Sequence, residues 1–116
     1  ERDSTAVEAF ETALRDGPPV TGDLILVEIL QGFRDGKRLR LAQAALSQFD
    51  KVSLCGPEIA PKAAANYRLL RQHGITVRGT IDVIIATWCI ENKVALLHGD
   101  RDFLAMEQAL GLVSWR

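Results

Sequence analysis

Four acidic residues lie within or just after apolar parts of this sequence. Glu28 lies within L-I-L-V-E-I-L, Asp82 lies within T-I-D-V-I-I, and Asp100 and Asp102 closely follow V-A-L-L-H-G. A carboxylate in apolar surroundings is costly unless it is paired, hydrogen-bonded or bound to a metal. Converging carboxylates are the ligand set that Mg²⁺ or Mn²⁺ prefers, and such a site activates water and neutralises charge on a phosphodiester. The pattern therefore suggests a divalent-metal site.

Each acid also has a structural interpretation that involves no chemistry. Asp82 can be an acid in the first turn of a helix, and Asp100 can be the N-cap of the last helix. Glu28 can be a partly buried partner of an arginine such as Arg34. All three acids are expected near helix starts on one side of a sheet. A shared site there is therefore favoured over three unrelated structural roles. Carboxylates in one crevice repel unless a cation or a shared proton relieves them.

The elements expected to position these acids are clearest between Thr80 and Phe103. Residues 80–92 are apolar nearly all round, which is typical of a buried helix. Residues 94–97 form an apolar run of strand length, and Gly99-Asp100 then turns the chain into another helical pattern. Helix, buried strand and helix predict a parallel α/β sheet. Ligands of such sheets lie beyond the carboxyl ends of the strands, where Asp100 falls.

The rest of the chain supports the same fold class. Apolar spacing and turn residues predict a helix from Thr5 up to Gly17, further helices over 24–33, 37–49, 57–73 and 103–110, and strands at 20–21, 52–55 and 112–115. The helix predicted over 37–49 carries an apolar face of Leu41, Ala42, Ala45, Leu46 and Phe49. We therefore expect a single α/β domain over residues 1–116, with a mostly parallel sheet flanked by helices.

Composition narrows the classes of function. The net charge of −1 leaves no overall electrostatic footprint for nucleic acid, so a nucleic-acid partner needs a local site. Apolar runs are far shorter than about 18 residues, so no membrane span is expected, and a cytoplasmic location is predicted. Cys55 and Cys89 form no C-x-x-C motif and are expected to be inert thiols in a reducing compartment.

Other residues give weaker signals. His98 lies close to Asp100, but no serine or cysteine stands in a nucleophile elbow, so acyl transfer is disfavoured. Arg78 and Arg101 flank the acids and either hold a phosphate or are solvated. Trp88 is expected in the core rather than on a stacking surface, and so is Trp115.

Three motifs together resemble the PIN-domain ribonucleases, and among them the VapC-type toxins of bacterial toxin–antitoxin pairs. They are V-E-I-L-Q-G-F, R-G-T-I-D-V-I-I-A and L-L-H-G-D-R-D-F, and the resemblance covers essentially the whole chain. It implies a Rossmann-like sheet and an endoribonuclease that uses Mg²⁺ or Mn²⁺ to cut structured RNA. It also implies an antitoxin that blocks the site, and a homodimer.

The resemblance assigns roles to individual positions. Glu28 matches the second acid of the family, Asp82 the third and Asp100 the fourth, and these three are the expected metal ligands. Asp102 matches an accessory acid of the D-x-D-F motif, and Thr80 the small polar residue that opens the helix of the third acid. Together with Arg78 and Arg101, which flank the acids, Thr80 is a candidate contact to RNA phosphate.

The sequence departs from the family pattern at its start. The family begins with a central strand ending in D-T/S-x-x, whose aspartate is the first metal ligand, and residue 1 lies after that motif. We therefore expect another segment to supply the strand, and residues 1–116 alone to be inactive. The alternative function is a catalytically silent module of the same fold that acts through a protein partner. A phosphatase-like acid cluster is less favoured, because no D-x-D follows a first strand.

Overall fold

Five helices and a two-stranded parallel sheet make up the described part of the chain. The computed structural model describes residues 20–98 and 100–114. In chain order the elements are β1 (Val20–Gly22), α1 (Asp23–Leu30), α2 (Lys37–Leu46), β2 (Asp50–Val52), α3 (Gly56–Gln72), α4 (Thr80–Glu91) and α5 (Arg101–Leu110). The predicted α/β class is confirmed. The helix predicted from Thr5 and the expected core position of Trp115 lie outside the described residues.

The sheet pairs β1 with β2 in parallel, so that Val20 faces Asp50 and Gly22 faces Val52. Helices α1 and α2 form the crossover between the two strands. Gly22 ends β1 where the chain passes directly against Leu54, and a Cβ added at Gly22 would overlap the Leu54 side chain. Leu54 itself is only 2% exposed, so it has little room to move away.

The strand predicted over 52–55 is wrong, because β2 starts two residues earlier, at Asp50, and ends three residues earlier, at Val52. The reason is a side-chain contact from a distant part of the chain. The Leu54 backbone N–H donates to Asp23 Oδ1 at 3.1 Å, while the Leu54 side chain enters the core. That hydrogen bond takes the place of a further sheet hydrogen bond at this position.

The strands predicted over 94–97 and 112–115 reduce, in the described residues, to one parallel bridge between Leu96 and Ser114. The Leu96 N–H donates to the Val113 carbonyl at 2.8 Å. Val94 cannot extend the pairing in the same way, because its N–H donates to the Cys89 carbonyl at 2.9 Å and closes the end of α4. The expected additional central strand is not tested by these residues and stays a prediction.

Helix α2 is shorter than the predicted 37–49 and ends at Leu46. Ser47 Oγ donates to the Ala44 carbonyl at 2.6 Å, and the Gln48 and Phe49 N–H groups bond three residues back, which tightens the chain into a turn. The apolar face predicted for this helix is only partly covered: Leu41, at 60%, and Ala45 are exposed, whereas Ala42, Leu46 and Phe49 are half-buried. None of the described helices is long and apolar enough to cross a membrane.

Helix α4 is the centre of the core, and its predicted extent over 80–92 is confirmed to within one residue. It packs against α3 and α5. Its buried residues are Val83, Ile85, Ala86, Thr87 and Cys89. Trp88 is half-buried against the core, as predicted.

The polar groups inside α4 are accommodated individually. The fully buried Thr87 hydroxyl donates to the Val83 carbonyl at 2.7 Å and accepts from Asn66 Nδ2 at 3.0 Å. Cys89 and the half-buried Cys55 are both free thiols. Burial raises the pKa of the Cys89 thiol to about 11, so it stays protonated at neutral pH and behaves as a small apolar side chain.

Candidate active site

The four acids predicted from the sequence come from three helices. Glu28 lies on α1, Asp82 lies in the first turn of α4, and Asp100 and Asp102 lie at the start of α5. Helix α1 contacts α4, and α4 contacts α5, so the three helices bring these acids to one region. Asp82 is half-buried there, whereas Glu28 and Asp100 are exposed.

Asp82 is the acid whose pKa is shifted by burial and by the charges of the other three acids. Burial raises the pKa of the Asp82 carboxyl, and the negative charges of Glu28, Asp100 and Asp102 raise it further. The Arg78 guanidinium opposes these effects without overcoming them. All four predicted acids therefore share one electrostatic environment, and the charged form of Asp82 is disfavoured in it.

The acids do not form a closed metal site as they stand. Within residues 20–98 and 100–114, no three His, Cys, Asp or Glu side chains are arranged to hold a metal ion. The donor chemistry nevertheless fits a hard divalent cation, because carboxylate oxygens are its preferred ligands. A cation would also relieve the repulsion that raises the pKa of Asp82. Metal ligation by Glu28, Asp82 and Asp100 stays a prediction.

Asp100 has the structural role that its position suggested. Its Oδ1 accepts from the Asp102 backbone N–H at 2.8 Å, so Asp100 is the N-cap of α5. An N-cap carboxylate satisfies one of the unpaired N–H groups of the first turn and interacts favourably with the helix dipole. Capping and metal binding are compatible, because a carboxylate has two oxygens with several lone pairs.

Asp102 is held by the chain that precedes α4. Its Oδ2 accepts from the Arg78 backbone N–H at 3.4 Å and lies 3.9 Å from Arg78 Nε. The Asp102 side chain is 15% exposed, whereas that of Arg78 is 78% exposed. Arg78 therefore places a solvated cation at the edge of the acidic cluster. Thr80 begins α4 and Arg101 begins α5, and both are exposed.

The structural interpretation of Glu28 is wrong. Glu28 is exposed rather than partly buried, and among the described residues no ion pair joins it to Arg34. The reason is that α1 has no buried residue and leaves Val27 and Ile29 substantially exposed beside Glu28. Apolar neighbours in sequence therefore did not mean apolar surroundings in the fold.

A family model described as the PIN domain matches residues 1–108. The chain belongs to the PIN domain family. PIN domains have a Rossmann-like α/β fold and are generally metal-dependent nucleases. The match spans all four acids, and it confirms the family that the three motifs indicated. The nuclease fold is thereby established, and the divalent metal usual in PIN nucleases agrees with the donor chemistry of the cluster.

Asp23 fixes the start of helix α1 of this PIN domain through a contact that the sequence did not predict. Its Oδ1 accepts from the Leu24 N–H at 2.9 Å and from the Leu54 N–H at 3.1 Å. These bonds fix the start of α1, which carries Glu28, to the segment that follows β2. The contact between Asp23 and Leu54 spans 31 positions and has no local signal in the sequence.

His98 has partners that sequence reasoning also missed. Its Nε2 lies 2.8 Å from Glu107 Oε2 and 2.7 Å from Ser114 Oγ. A catalytic triad needs the serine and the acid on different ring nitrogens, whereas both use Nε2 here. The geometry therefore agrees with the sequence in disfavouring acyl transfer, although it does bring a serine to His98.

Proposed function

We propose that this PIN domain is a metal-dependent endoribonuclease and the toxin subunit of a bacterial type II toxin–antitoxin pair. The observation that carries the nuclease proposal is the raised pKa of Asp82, caused by burial and by three neighbouring acids. A half-buried carboxyl whose pKa is raised by burial and by neighbouring acids is a candidate functional group in a nuclease fold. The motif resemblance to VapC-type toxins supports the toxin assignment.

Glu28, Asp82 and Asp100 would hold Mg²⁺ or Mn²⁺. When bound, the cation neutralises charge on the phosphodiester and lowers the pKa of a coordinated water. Asp82 supplies a half-buried carboxylate, and Asp100 supplies a carboxylate fixed by its capping bond to α5. Asp102 orients water beside them.

The residues proposed to bind RNA surround these acids. Arg78 extends into solvent next to Asp102, Thr80 stands at the first position of α4, and Arg101 stands at the first position of α5. The N-termini of α4 and α5 add N–H groups that favour a phosphate oxygen. This local donor set is needed because the net charge of the chain is −1.

The proposed partners are a structured RNA as substrate, a cognate antitoxin protein that blocks the site, and a second copy of the chain in a homodimer. The proposed location is the bacterial cytoplasm, where an RNA substrate and free thiols both occur. The support for these partners is the resemblance to VapC-type toxins within the PIN family.

The nuclease proposal is tested by the substitution Asp82→Asn. We expect the wild-type protein, assembled with the segment expected to supply the first strand, to cut structured RNA with Mg²⁺ or Mn²⁺ and to stop when EDTA is added. Asp82→Asn should lower the rate by at least about 100-fold, because it removes a charged ligand while keeping the shape of the side chain. Gel analysis of RNA fragments over time measures this rate.

The matched control is Asp35→Asn, which makes the same chemical change at an exposed position between α1 and α2. This variant should cut RNA at the wild-type rate. Wild-type cleavage by Asp82→Asn would contradict the role of Asp82. A wild-type protein that neither binds Mn²⁺ nor cuts RNA when assembled with that segment would favour the silent binding module instead.

A further inference from the structure

His98 lies buried between the segment that follows α4 and helix α5. Its side chain is 6% exposed. The ring packs against the Phe103 ring with centroids 5.1 Å apart, and Nε2 reaches both Glu107 on α5 and Ser114 beyond it. His98 is thus held by partners on α5 and by the residue that pairs with Leu96.

These contacts select one form of the His98 ring. Ser114 Oγ donates to Glu107 Oε2, and the same carboxylate is the acceptor for a proton on His98 Nε2. With the proton on Nε2, the neutral ring has its lone pair on Nδ1. The Asp100 backbone N–H donates to Nδ1 at 3.3 Å. The tautomer assigned by its partners therefore satisfies every polar contact of the ring.

The hydrogen bond to Nδ1 matters because of the residue that makes it. Asp100 is fixed at two points: its N–H bonds to His98, and its Oδ1 accepts from the Asp102 N–H. Glu107 and Ser114 contact Nε2, whereas the Asp100 N–H contacts Nδ1, so the bonds to Nε2 fix the ring that Asp100 contacts. The cluster runs from Ser114, through His98, to the backbone of a proposed metal ligand.

We propose that His98, anchored by Glu107 and Ser114, is a positioning residue that holds Asp100 in place for divalent-cation binding. The inference rests on the proposed function, because it concerns the same metal site. His98 is not a ligand in this arrangement, and its Nδ1 acts as a hydrogen-bond acceptor. Residues that orient metal ligands in this way typically change metal affinity by about 10- to 100-fold when they are replaced.

Two substitutions by amide side chains test the roles of the two ring nitrogens of His98 one at a time. In His98→Asn, the side-chain oxygen takes the place of Nδ1 and can accept from the Asp100 N–H, but the bond to Glu107 is lost. In His98→Gln, the amide nitrogen takes the place of Nε2 and can donate to Glu107, but the acceptor for Asp100 is lost. A purely structural role would favour Gln, which fills more of the buried space and keeps the bond to Glu107.

The experiment measures Mn²⁺ affinity by electron paramagnetic resonance for the wild type, both variants and Asp82→Asn. We expect His98→Gln to bind about tenfold more weakly than the wild type, and His98→Asn to stay within about threefold of it. Amide hydrogen exchange at Asp100, measured by NMR without metal, should be faster in His98→Gln than in His98→Asn. Thermal melting of each variant confirms that the compared proteins are folded.

The outcomes distinguish the two proposals. Wild-type affinity in His98→Gln, or weaker binding in His98→Asn than in His98→Gln, overturns the positioning role. If either variant fails to fold, the ¹⁵N chemical shifts of the His98 ring in the wild type replace the comparison: a proton on Nε2 with a bare Nδ1 supports the proposal, and a proton on Nδ1 overturns it. If Asp82→Asn binds Mn²⁺ with wild-type affinity, the proposed metal site itself is overturned, whatever the His98 variants show.

Discussion

Asp82 is the residue at which the demands of folding and of the proposed chemistry conflict. Its position in the first turn of α4 suits a carboxylate, because the helix dipole favours negative charge there. Burial and the charges of Glu28, Asp100 and Asp102 act in the opposite direction and prevail, since the pKa of Asp82 is raised. A site of this kind is less stable empty than filled by a cation.

The conflict predicts how stability depends on pH. A raised pKa in the folded state means that the protein is relatively more stable where Asp82 is protonated, and that this advantage is lost as the pH rises through the raised pKa. In metal-free buffer at pH 7, Asp82→Asn should therefore unfold at a higher urea concentration than the wild type. The difference between the two urea midpoints should shrink as the pH is lowered through the raised pKa of Asp82. Urea titrations at several pH values measure it.

Asp35→Asn again serves as the control and should show no comparable gain at pH 7, because Asp35 is exposed and lies outside the cluster that acts on Asp82. Adding Mn²⁺ should reverse the order of the wild type and Asp82→Asn, since a ligand that binds only the folded state stabilises it. If Asp82→Asn has a lower urea midpoint than the wild type in metal-free buffer, the negative charge of Asp82 does not destabilise the folded protein.

The elements that carry the acids are positioned by contacts between segments far apart in sequence. Helix α1 starts directly after β1, and Asp23 bonds its first turn to the Leu54 N–H. Gly22 lets the Leu54 side chain pack against the backbone at this junction. The position of Glu28 relative to Asp82 therefore depends on how closely β1, α1 and the segment after β2 approach one another.

Gly22→Ala should expose this dependence. The added methyl group would overlap Leu54, which has no space to retreat, so a loss of about 1–3 kcal/mol in unfolding free energy is expected. Gly32→Ala is the matched control, because its added Cβ would meet only the Ile29 carbonyl oxygen at 3.6 Å, an ordinary contact. Urea denaturation of both variants measures the difference, and equal stability would contradict the close approach at Gly22.

At the scale of the whole molecule, the sequence predicted the helices better than the strands. Helices α3 and α4 were found to within one residue because their patterns are long and end at clear stop signals. Strand β2 and the segment 94–97 were misplaced because single contacts decided them: Leu54 to Asp23, and Val94 to Cys89. The acids were recognised as a set from their motifs, whereas the partners of His98 lie up to 16 positions away and leave no local pattern.

The burial of Cys89 has a practical consequence for following the motions of this protein. Its protonated thiol, 5% exposed and lying on the helix that carries Asp82, can react with an alkylating reagent only when that helix is transiently uncovered. Cys55 is more accessible and should be labelled first. Mass spectrometry of timed iodoacetamide labelling should show a fast and a slow thiol, and equal rates would contradict the packing of α4. Mn²⁺ should slow the labelling of Cys89 alone. The two native cysteines would then record how often helix α4 opens, and how far a bound cation keeps it closed.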